Sequence, residues 1–191
     1  MIFYIMGKSA SGKDSLYKKL LESDLKLQRL VIYTTRPKRD GEEDGIEYNF
    51  VDESFLNANS DRIIEKRVYK TVFGNWYYAT IDDGKIEDSK NYLVIGTLES
   101  YNIIKKYYGN EKVYPIYLEV SDKVRRERAI KRENMQKVPK FDEMERRFKA
   151  DEVDFSDENV EKAGITKRYN NDDFSKCYVE VHDDIKKYVN D

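Results

Sequence analysis

The sequence feature that most constrains the fold is a glycine-bounded loop near the start of the chain, GKSASGK at residues 7–13. Four apolar residues precede it at positions 2–5, and apolar side chains recur at helical spacing after it. A strand, a Gly-x4-Gly-Lys loop and a helix, in this order, form the context of a phosphate-binding P-loop. The pattern predicts an α/β domain with an anion site at the end of its first strand.

The parts of this loop have separate roles in binding the phosphates of a nucleoside triphosphate. Gly7 and Gly12 let the backbone turn so that several N–H groups point at one anion, and the following helix adds the positive end of its dipole. The Lys13 ammonium can bridge the β- and γ-phosphates. A plain glycine turn beside a solvated lysine is the alternative interpretation. The predicted triphosphate-binding residues are Gly7, Lys8, Ser9, Ala10, Ser11, Gly12, Lys13, Asp14 and Ser15.

Asp14 occupies the position at which a P-loop normally has a Ser or Thr hydroxyl that binds Mg²⁺, and the next hydroxyl is that of Ser15. A carboxylate in the first turn of a helix is also favoured by the helix dipole, which alone would explain Asp14. We predict that Mg²⁺ accompanies the nucleotide and that Asp14 binds it, directly or through water.

The composition bounds the class of protein and its partners. A chain of 191 residues is long enough for one compact domain with a substantial core. Its formal net charge of −2 gives no overall field that favours a nucleic acid or a membrane, although 38% of the residues are charged. A single cysteine, Cys177, excludes an intrachain disulfide framework. We expect a soluble cytoplasmic protein, a monomer or homodimer, with no nucleic-acid or membrane partner.

Buried strands alternate with helices along most of the chain, which predicts a parallel sheet covered on both faces. Residues 34–82 combine a charged loop with short alternating strands and a turn at Gly74–Asn75, which indicates a small, mostly β insertion. The predicted core strands are 2–5, 27–33, 92–97, 113–120 and 165–169, and those of the insertion are 48–51, 62–69 and 71–81. The predicted helices are 13–24, 98–108, 121–135, 141–154 and 172–188, Ser121 and Asp122 capping the third, and a further helix begins at Asp52.

A second candidate anion site lies in the charged loop. Arg36 and Arg39 flank a proline, and guanidinium forks suit a phosphate because each can donate two hydrogen bonds at once. Glu42 and Tyr48 follow closely, and Tyr48 can add a neutral donor. A second phosphate site facing the P-loop would let two phosphorylated substrates meet end to end. On charge alone, an ordinary solvated cluster explains the two arginines better.

The charged loop and the strand after it resemble the GMP-binding signature of guanylate kinases nearly position for position, as Thr34-Thr35-Arg36-x-x-Arg39-x-Gly41-Glu42-x-x-Gly45-x-x-Tyr48-x-Phe50-Val51. The resemblance extends over essentially the whole chain. It implies transfer of the γ-phosphoryl group of ATP to GMP, and to dGMP, with Mg²⁺ accompanying ATP. It also implies a P-loop core (1–33, 83–124 and 155–191), a subdomain that binds the nucleoside monophosphate (34–82), and a lid with its hinge helices (125–154).

The resemblance assigns roles within the GMP pocket. It places Arg36, Arg39 and Tyr48 at the GMP phosphate, and Glu42 in the same pocket. Glu65 matches the glutamate that accepts hydrogen bonds from guanine N1 and N2. A carboxylate suits this edge because both groups are donors, whereas adenine offers an acceptor at N1.

A further segment, GNWYYAT at residues 74–80, resembles the family's Gly-Asn-Tyr-Tyr-Gly-Ser/Thr segment if Trp76 is taken as an insertion. This register puts Tyr78 near the GMP phosphate and the Thr80 hydroxyl near guanine O6. A plain strand residue is the alternative interpretation of Thr80.

The charged helices after Ser121 resemble the lid of the family. Arg128 and Arg132 lie four apart on one helical face, and together with Arg147 they match lid arginines. Arginines on a closing lid would neutralise the transferred phosphoryl group and exclude water, whereas the alternative is a solvated basic helix. Asn171 matches a position near the adenine of ATP, although it also suits a helix cap. The predicted catalytic residues are Lys13, Arg36, Arg128, Arg132 and Arg147.

Departures from the family pattern leave the acceptor open. Besides Asp14, Ile32 stands where a serine is frequent, and Ile95 and Thr97 stand at the two positions of an Asp-x-Asp. We expect the Asp14 carboxylate to compensate for the missing pair, since both positions lie at strand ends that face the phosphates. Two alternatives stay open: a kinase of the same fold with another acceptor, such as another nucleotide or ribose bisphosphate, and a non-catalytic module that binds a phosphopeptide.

Overall fold

The computed structural model describes residues 1–71 and 74–189. The strands are β1 (Ile2–Met6), β2 (Gln28–Arg29), β3 (Tyr33–Thr34), β4 (Asn49–Phe50), β5 (Ile63–Thr71), β6 (Gly74–Ile81), β7 (Tyr92–Ile95), β8 (Val113–Glu119) and β9 (Arg168–Asn170). The helices are α1 (Lys13–Leu21), α2 (Glu53–Ala58), α3 (Leu98–Tyr108), α4 (Asp122–Asn134), α5 (Phe141–Asp154), α6 (Asp157–Lys162) and α7 (Phe174–Val189), and a 3₁₀ turn spans Ser60–Arg62.

The core sheet of the described residues has the strand order β2-β7-β1-β8-β9, and its paired strands run parallel. Alternate side chains of β1 enter two separate apolar clusters, because Tyr4 and Met6 point to one face and Phe3 and Ile5 to the other. Helices α3 and α6 cover the first face, and α1 and α7 cover the second. A parallel sheet buried on both faces confirms the predicted α/β fold.

A second sheet occupies the predicted insertion, with the order β4-β3-β6-β5. Its main unit is an antiparallel hairpin of β5 and β6, and β3 pairs with the open edge of β6. The predicted turn at Gly74–Asn75 is wrong, because both residues belong to β6 and Gly74 faces Thr71 across the hairpin. Positions 72 and 73 of the predicted strand 71–81 lie outside the described residues.

The predicted strand at 27–33 is also wrong, because the structure has two short strands there, β2 in the core sheet and β3 in the small one. Leu30 is buried in the core cluster and its N–H donates to Leu93 O, whereas Tyr33 is buried in the small cluster of the insertion. A single long strand and a connection between two sheets that is buried at both ends have the same run of apolar residues. The sequence pattern therefore could not distinguish the two structures.

The last third of the chain differs from the prediction in three details. Helix α6 was not predicted, although Ser156 caps it by accepting from the Asn159 N–H. Strand β9 begins at Arg168 rather than at residue 165. The Ser121 hydroxyl does not cap α4, because it donates to Asp172 Oδ1 at 3.1 Å.

Helices α4 and α5 pack on each other through Ala129, Met144 and Phe148, and Ala10 of the P-loop packs against the same cluster. The predicted break at Val138–Pro139 is confirmed by the ends of the two helices. Across both described ranges, every helix is too short or too polar to cross a membrane. The division into core, insertion and lid stays a prediction.

Candidate active site

The P-loop joins β1 to α1 through a backbone that requires glycine at its first position. Gly7 has φ +146°, and a Cβ there would lie 2.5 Å from the backbone oxygen of Leu118 in β8. Gly12 has φ +90°, and a Cβ there would lie 2.5 Å from Asn171 Nδ2. Because the obstacle at Gly7 is the backbone of a central strand, a side chain there would have to displace β8. The core sheet therefore fixes the shape of the loop.

Lys13 folds back into this loop. Its Nζ donates to the backbone oxygens of Gly7 at 2.6 Å and Lys8 at 3.0 Å. Burial lowers the pKa of Lys13 to about 8, although Asp14 and Asp151 favour its charged form. A phosphate anion bound in the loop would stabilise the charged form of Lys13 further and raise its pKa.

Two side-chain atoms beside the loop, Ser11 Oγ and Asn171 Oδ1, are buried without a hydrogen-bond partner in the described part of the chain. Asn171 Nδ2 donates to Ser11 O at 2.7 Å, which holds the amide against the loop. Arg128 Nη2 donates to the backbone oxygens of Asn171 at 2.8 Å and Asp172 at 3.2 Å. The structure thus brings Asn171 and Arg128 together beside the P-loop, and Asp173 caps α7 instead.

An ion-pair network around the buried Arg125, which was not predicted, ties the loop to α4 and α5. Arg125, whose side chain is 1% exposed, donates to Ser9 O at 3.1 Å and to Asp151 Oδ2 at 3.1 Å. The same Asp151 oxygen accepts from the Ser9 N–H at 2.7 Å. Lys8 Nζ meets Glu152 Oε2 at 2.7 Å. Both backbone polar groups of Ser9, a predicted triphosphate-binding residue, are therefore held by residues of α4 and α5.

The buried faces of these two helices did carry a signal for the network. Arg125 stands four residues before the buried Ala129, and Asp151 continues the buried stripe of Met144 and Phe148. A charged residue on the apolar stripe of a helix requires a buried partner. Both helices are rich in charged residues, so Arg125 and Asp151 were not distinguished from the solvated ones.

The second predicted anion site is built around Arg36, whose side chain is 3% exposed. Its Nη1 and Nη2 donate to Glu42 Oε2 at 3.0 Å and Oε1 at 2.7 Å, and its Cζ lies 5.2 Å from the centre of the Tyr48 ring. Arg36 holds the pKa of Glu42 below its ordinary value. Arg39 is exposed and joins this group through its backbone N–H, which donates to Glu42 Oε2 at 2.8 Å.

The predicted base-binding residues lie on the β5–β6 hairpin. Glu65 and Thr80 are paired in its register and buried, and Thr80 Oγ1 donates to Glu65 Oε1 at 3.1 Å. Tyr78, two residues before Thr80, meets the Tyr48 ring edge-to-face with 5.6 Å between the ring centres. The Glu65 carboxylate therefore lies at one end of this face of the hairpin, and Tyr78 at the other end contacts the Tyr48 ring that lies over Arg36.

Two of the predicted lid arginines have their ion-pair partners on their own helices, although Arg132 also acts electrostatically on Lys13. Arg132 is 51% exposed and approaches Glu133 at 3.9 Å, while Arg147 Nε donates to Glu143 Oε1 at 3.0 Å on its own helix. Arg146 and then Arg147 lower the pKa of Glu143 to about 2. Among the described residues, Arg132 and Arg147 make no hydrogen bond or ion pair with the loop.

The P-loop residues suit an Mg²⁺ ion that is held mainly by a nucleotide. Asp14 is exposed in the first turn of α1, beside Ser15, and it acts electrostatically on Lys13. Within residues 1–71 and 74–189, no three or more His, Cys, Asp or Glu side chains lie together so as to hold a metal. Mg²⁺ commonly keeps several waters and binds one or two carboxylates together with substrate phosphates, which a single carboxylate at Asp14 fits.

The residues that depart from the family pattern have structural contacts. Ile32 packs against the core cluster on one face of the sheet and Ile95 against that on the other. Thr97 caps α3, because its Oγ1 accepts from the Ser100 N–H at 3.2 Å. These positions therefore bring no carboxylate to the phosphates.

The parallel sheet, the loop after its first strand and the inserted small sheet define the chain as a P-loop α/β protein. A family model for guanylate kinase matches residues 2–188. The chain belongs to the guanylate kinase family, which confirms the resemblance drawn from the charged loop.

Individual relatives match over shorter segments. The guanylate kinase of Helicobacter hepaticus is 30% identical over 136 residues, which cover 69% of this chain and 66% of that protein. The guanylate kinase of Legionella pneumophila (strain Lens) is 37% identical over 82 residues, so the chain spans 38% of its length. The crystal structure of guanylate kinase from Anaplasma phagocytophilum has a TM-score of 0.65 at 21% identity, over 98% of this chain and 85% of that one, and shows the shared fold.

Proposed function

We propose that the chain is an ATP-dependent nucleoside monophosphate kinase that transfers the γ-phosphoryl group of ATP to GMP, and to dGMP. The observation that carries this proposal is the buried Glu65–Thr80 pair. A carboxylate suits the N1–H and N2–H donors of guanine, and the Thr80 hydroxyl can donate to the adjacent O6 when it rotates away from Glu65. Family membership supports the reaction class, and we propose a cytoplasmic monomer or homodimer.

Catalysis by these side chains would consist of positioning and charge neutralisation. Lys13 would contact the β- and γ-phosphates of ATP, and Arg36, oriented by Glu42, would hold the acceptor phosphate. Mg²⁺ near Asp14 supplies further neutralisation of the phosphates when bound. The closing lid would exclude water that otherwise hydrolyses ATP. The proposed lid arginines are Arg128, Arg132 and Arg147, and Asn171 would lie at the ATP site with residues 7–15.

The acceptor pocket in this proposal extends along the inserted sheet. Its phosphate end has the Arg36 guanidinium under the Tyr48 ring, and its base end has the Glu65 carboxylate. The proposed GMP-binding residues are Arg36, Arg39, Glu42, Tyr48, Glu65, Tyr78 and Thr80.

A kinase with another acceptor is the second candidate, and the apolar contacts of Ile32 and Ile95 favour it, because polar groups expected beside the acceptor are missing. The phosphopeptide-binding module is less well supported. Such a module has no use for a lysine held in a P-loop, whereas the half-buried Lys13 lies there with two backbone hydrogen bonds.

The test is an ADP-release assay with ATP and a panel of acceptors, namely GMP, dGMP, AMP, UMP and ribose bisphosphate. We expect turnover with GMP and dGMP above the others. Lys13→Ala should lower kcat by about 10²- to 10³-fold, because a positioned charge on the phosphates is lost. Lys18→Ala, an exposed lysine of the same helix, is the matched control and should leave kcat unchanged. Preference for another acceptor would support the second candidate, and phosphopeptide binding without any turnover would support the module.

A further inference from the structure

Arg67 lies in the middle of the acceptor pocket, and the family signature gives it no role. Alternate residues of a strand share a face, so Arg67 points to the same side of β5 as Glu65. In the hairpin register it faces Tyr78, whereas Glu65 faces Thr80. Arg67 therefore stands between the base end of the proposed pocket and the tyrosine at its phosphate end.

The Arg67 guanidinium forms a fork on the Glu65 carboxylate. Its Nε lies 3.2 Å from Oε2 and its Nη2 lies 3.4 Å from Oε1. The Glu65 side chain is 1% exposed and that of Arg67 is 16% exposed, so water screens this pair weakly. Over the ranges that the structure describes, Glu65 Oε2 accepts from Arg67 alone and can accept once more from a ligand, and Oε1, which accepts from both Arg67 and Thr80, can do so when the Thr80 hydroxyl turns towards that ligand.

The groups around Glu65 act on its charge in opposite directions. Burial raises the pKa of Glu65, and Arg67 is the strongest influence against that rise, followed by the Thr80 hydroxyl. Glu99 at the start of α3 raises the pKa as well. On the sheet side, the Tyr4 hydroxyl bonds to Ser100 Oγ at 2.5 Å and interacts electrostatically with both Glu65 and Arg67. Arg67 thus supplies the positive charge that opposes the effects of burial and of Glu99 on the pKa of Glu65.

We propose that Arg67 determines the base specificity of the acceptor pocket by holding the Glu65 carboxylate in place as an anion. This inference rests on the proposed function, because it concerns the base of the acceptor nucleotide. An ionised carboxylate offers two acceptors, which match the adjacent N1–H and N2–H of guanine. A protonated carboxyl offers one donor and one acceptor, which match adenine N1 and its N6 amino group. Arg67 thereby selects guanine through the charge state of its neighbour.

The experiment compares kcat/KM for GMP and for AMP from about pH 5.5 to pH 8, in the parent and in two variants. The ratio of the two values is the readout, because both nucleotides carry the same phosphate and its own titration cancels. Arg67→Gln removes the charge and keeps a polar side chain, and Arg67→Lys keeps the charge. In Arg67→Gln, Glu65 should protonate at a higher pH than in the parent, so the GMP/AMP ratio should fall severalfold as the pH is lowered from about 8 towards about 5.5. In the parent and in Arg67→Lys the ratio should stay level.

Either of two results would overturn the inference: a level ratio in Arg67→Gln, or a ratio in the parent that already falls towards pH 6. The second result is independent of whether Arg67→Gln folds, which its melting temperature reports. If the parent prefers an acceptor that is not a guanine nucleotide, the proposed function fails instead. The Glu65→Gln/Arg67→Gln double variant should have no pH dependence of the ratio, because no carboxyl is left to titrate at this position.

Discussion

The P-loop half and the inserted half of the site hold their charged side chains by different means. At the P-loop, Lys13 donates to backbone oxygens, and Gly7 is fixed against the backbone of β8. In the insertion, Arg36 and Arg67 are instead oriented chiefly by carboxylates of other side chains, those of Glu42 and Glu65. A backbone partner cannot be removed by substitution, whereas a carboxylate can. We therefore expect single substitutions in the proposed acceptor pocket to change specificity without disturbing the core.

The network of Arg125 and Asp151 is the part of the P-loop half that does depend on side chains, and it gives the largest expected effect. Asp151→Ala leaves the Ser9 N–H and one edge of the buried Arg125 without their acceptor. We expect a loss of about 3 kcal/mol in the free energy of unfolding, measured by urea denaturation.

A matched control for this variant is Glu145→Ala, which removes the partner of Arg126 in a half-exposed pair and should cost at most about 1 kcal/mol. The double variant Arg125→Leu/Asp151→Ala should recover part of the loss, because the buried charge is then also removed. Equal stability of Asp151→Ala and Glu145→Ala would show that the P-loop half does not depend on this network.

Glu42→Gln tests whether the two halves are independent. The amide can accept from Arg36 through one oxygen only and removes the counter-charge, so the guanidinium loses its fixed orientation. We expect KM for GMP to rise roughly ten- to thirtyfold, while KM for ATP stays unchanged. Glu43→Gln, at the exposed neighbouring position, is the control. A lower KM for GMP would mean that Glu42 competes with the phosphate for Arg36 instead of orienting it.

The same difference explains how much of the site could be predicted from the sequence. The P-loop is a local motif in which Gly7, Gly12 and Lys13 have fixed spacing, so its position follows from the residues themselves. Its partners Arg125 and Asp151 lie more than a hundred residues away along the chain and were missed. Glu65 was found through the resemblance, but its contact with Arg67 depends on strand register and on the direction of each side chain. The chain passes from the core sheet to the small sheet between β2 and β3, because Leu30 is buried in the first core and Tyr33 in the second. The spacing of apolar residues along the chain does not show which core buries which residue.

Asp14→Ala tests the compensation that the sequence suggested for the missing Asp-x-Asp. No other carboxylate takes its place in the first turn of α1, whose acidic residue is Asp14. We expect the Mg²⁺ concentration for half-maximal activity to rise about five- to tenfold, with kcat at saturating Mg²⁺ nearly kept. Glu22→Ala, at the other end of the same helix, should leave the Mg²⁺ dependence as it is. Identical Mg²⁺ curves for the parent and Asp14→Ala would remove the carboxylate from the metal site.

The smallest effect concerns the contact between the P-loop and the helices over it. Ala10 has φ +61° and Lys26 has φ +53°, and both positions carry the strain of a left-handed backbone. Lys26→Gly, at an exposed position, should stabilise the chain by about 1 kcal/mol, measured by urea denaturation. Ala10→Gly relieves the same strain but also removes a methyl group that packs on Ala129, Met144 and Phe148, which offsets roughly 0.8 kcal/mol. The smaller gain at Ala10 would then measure how strongly this methyl group holds α4 and α5 on the loop. Equal gains at the two positions would show that the helices rest on the P-loop through the Arg125–Asp151 network and not through apolar packing.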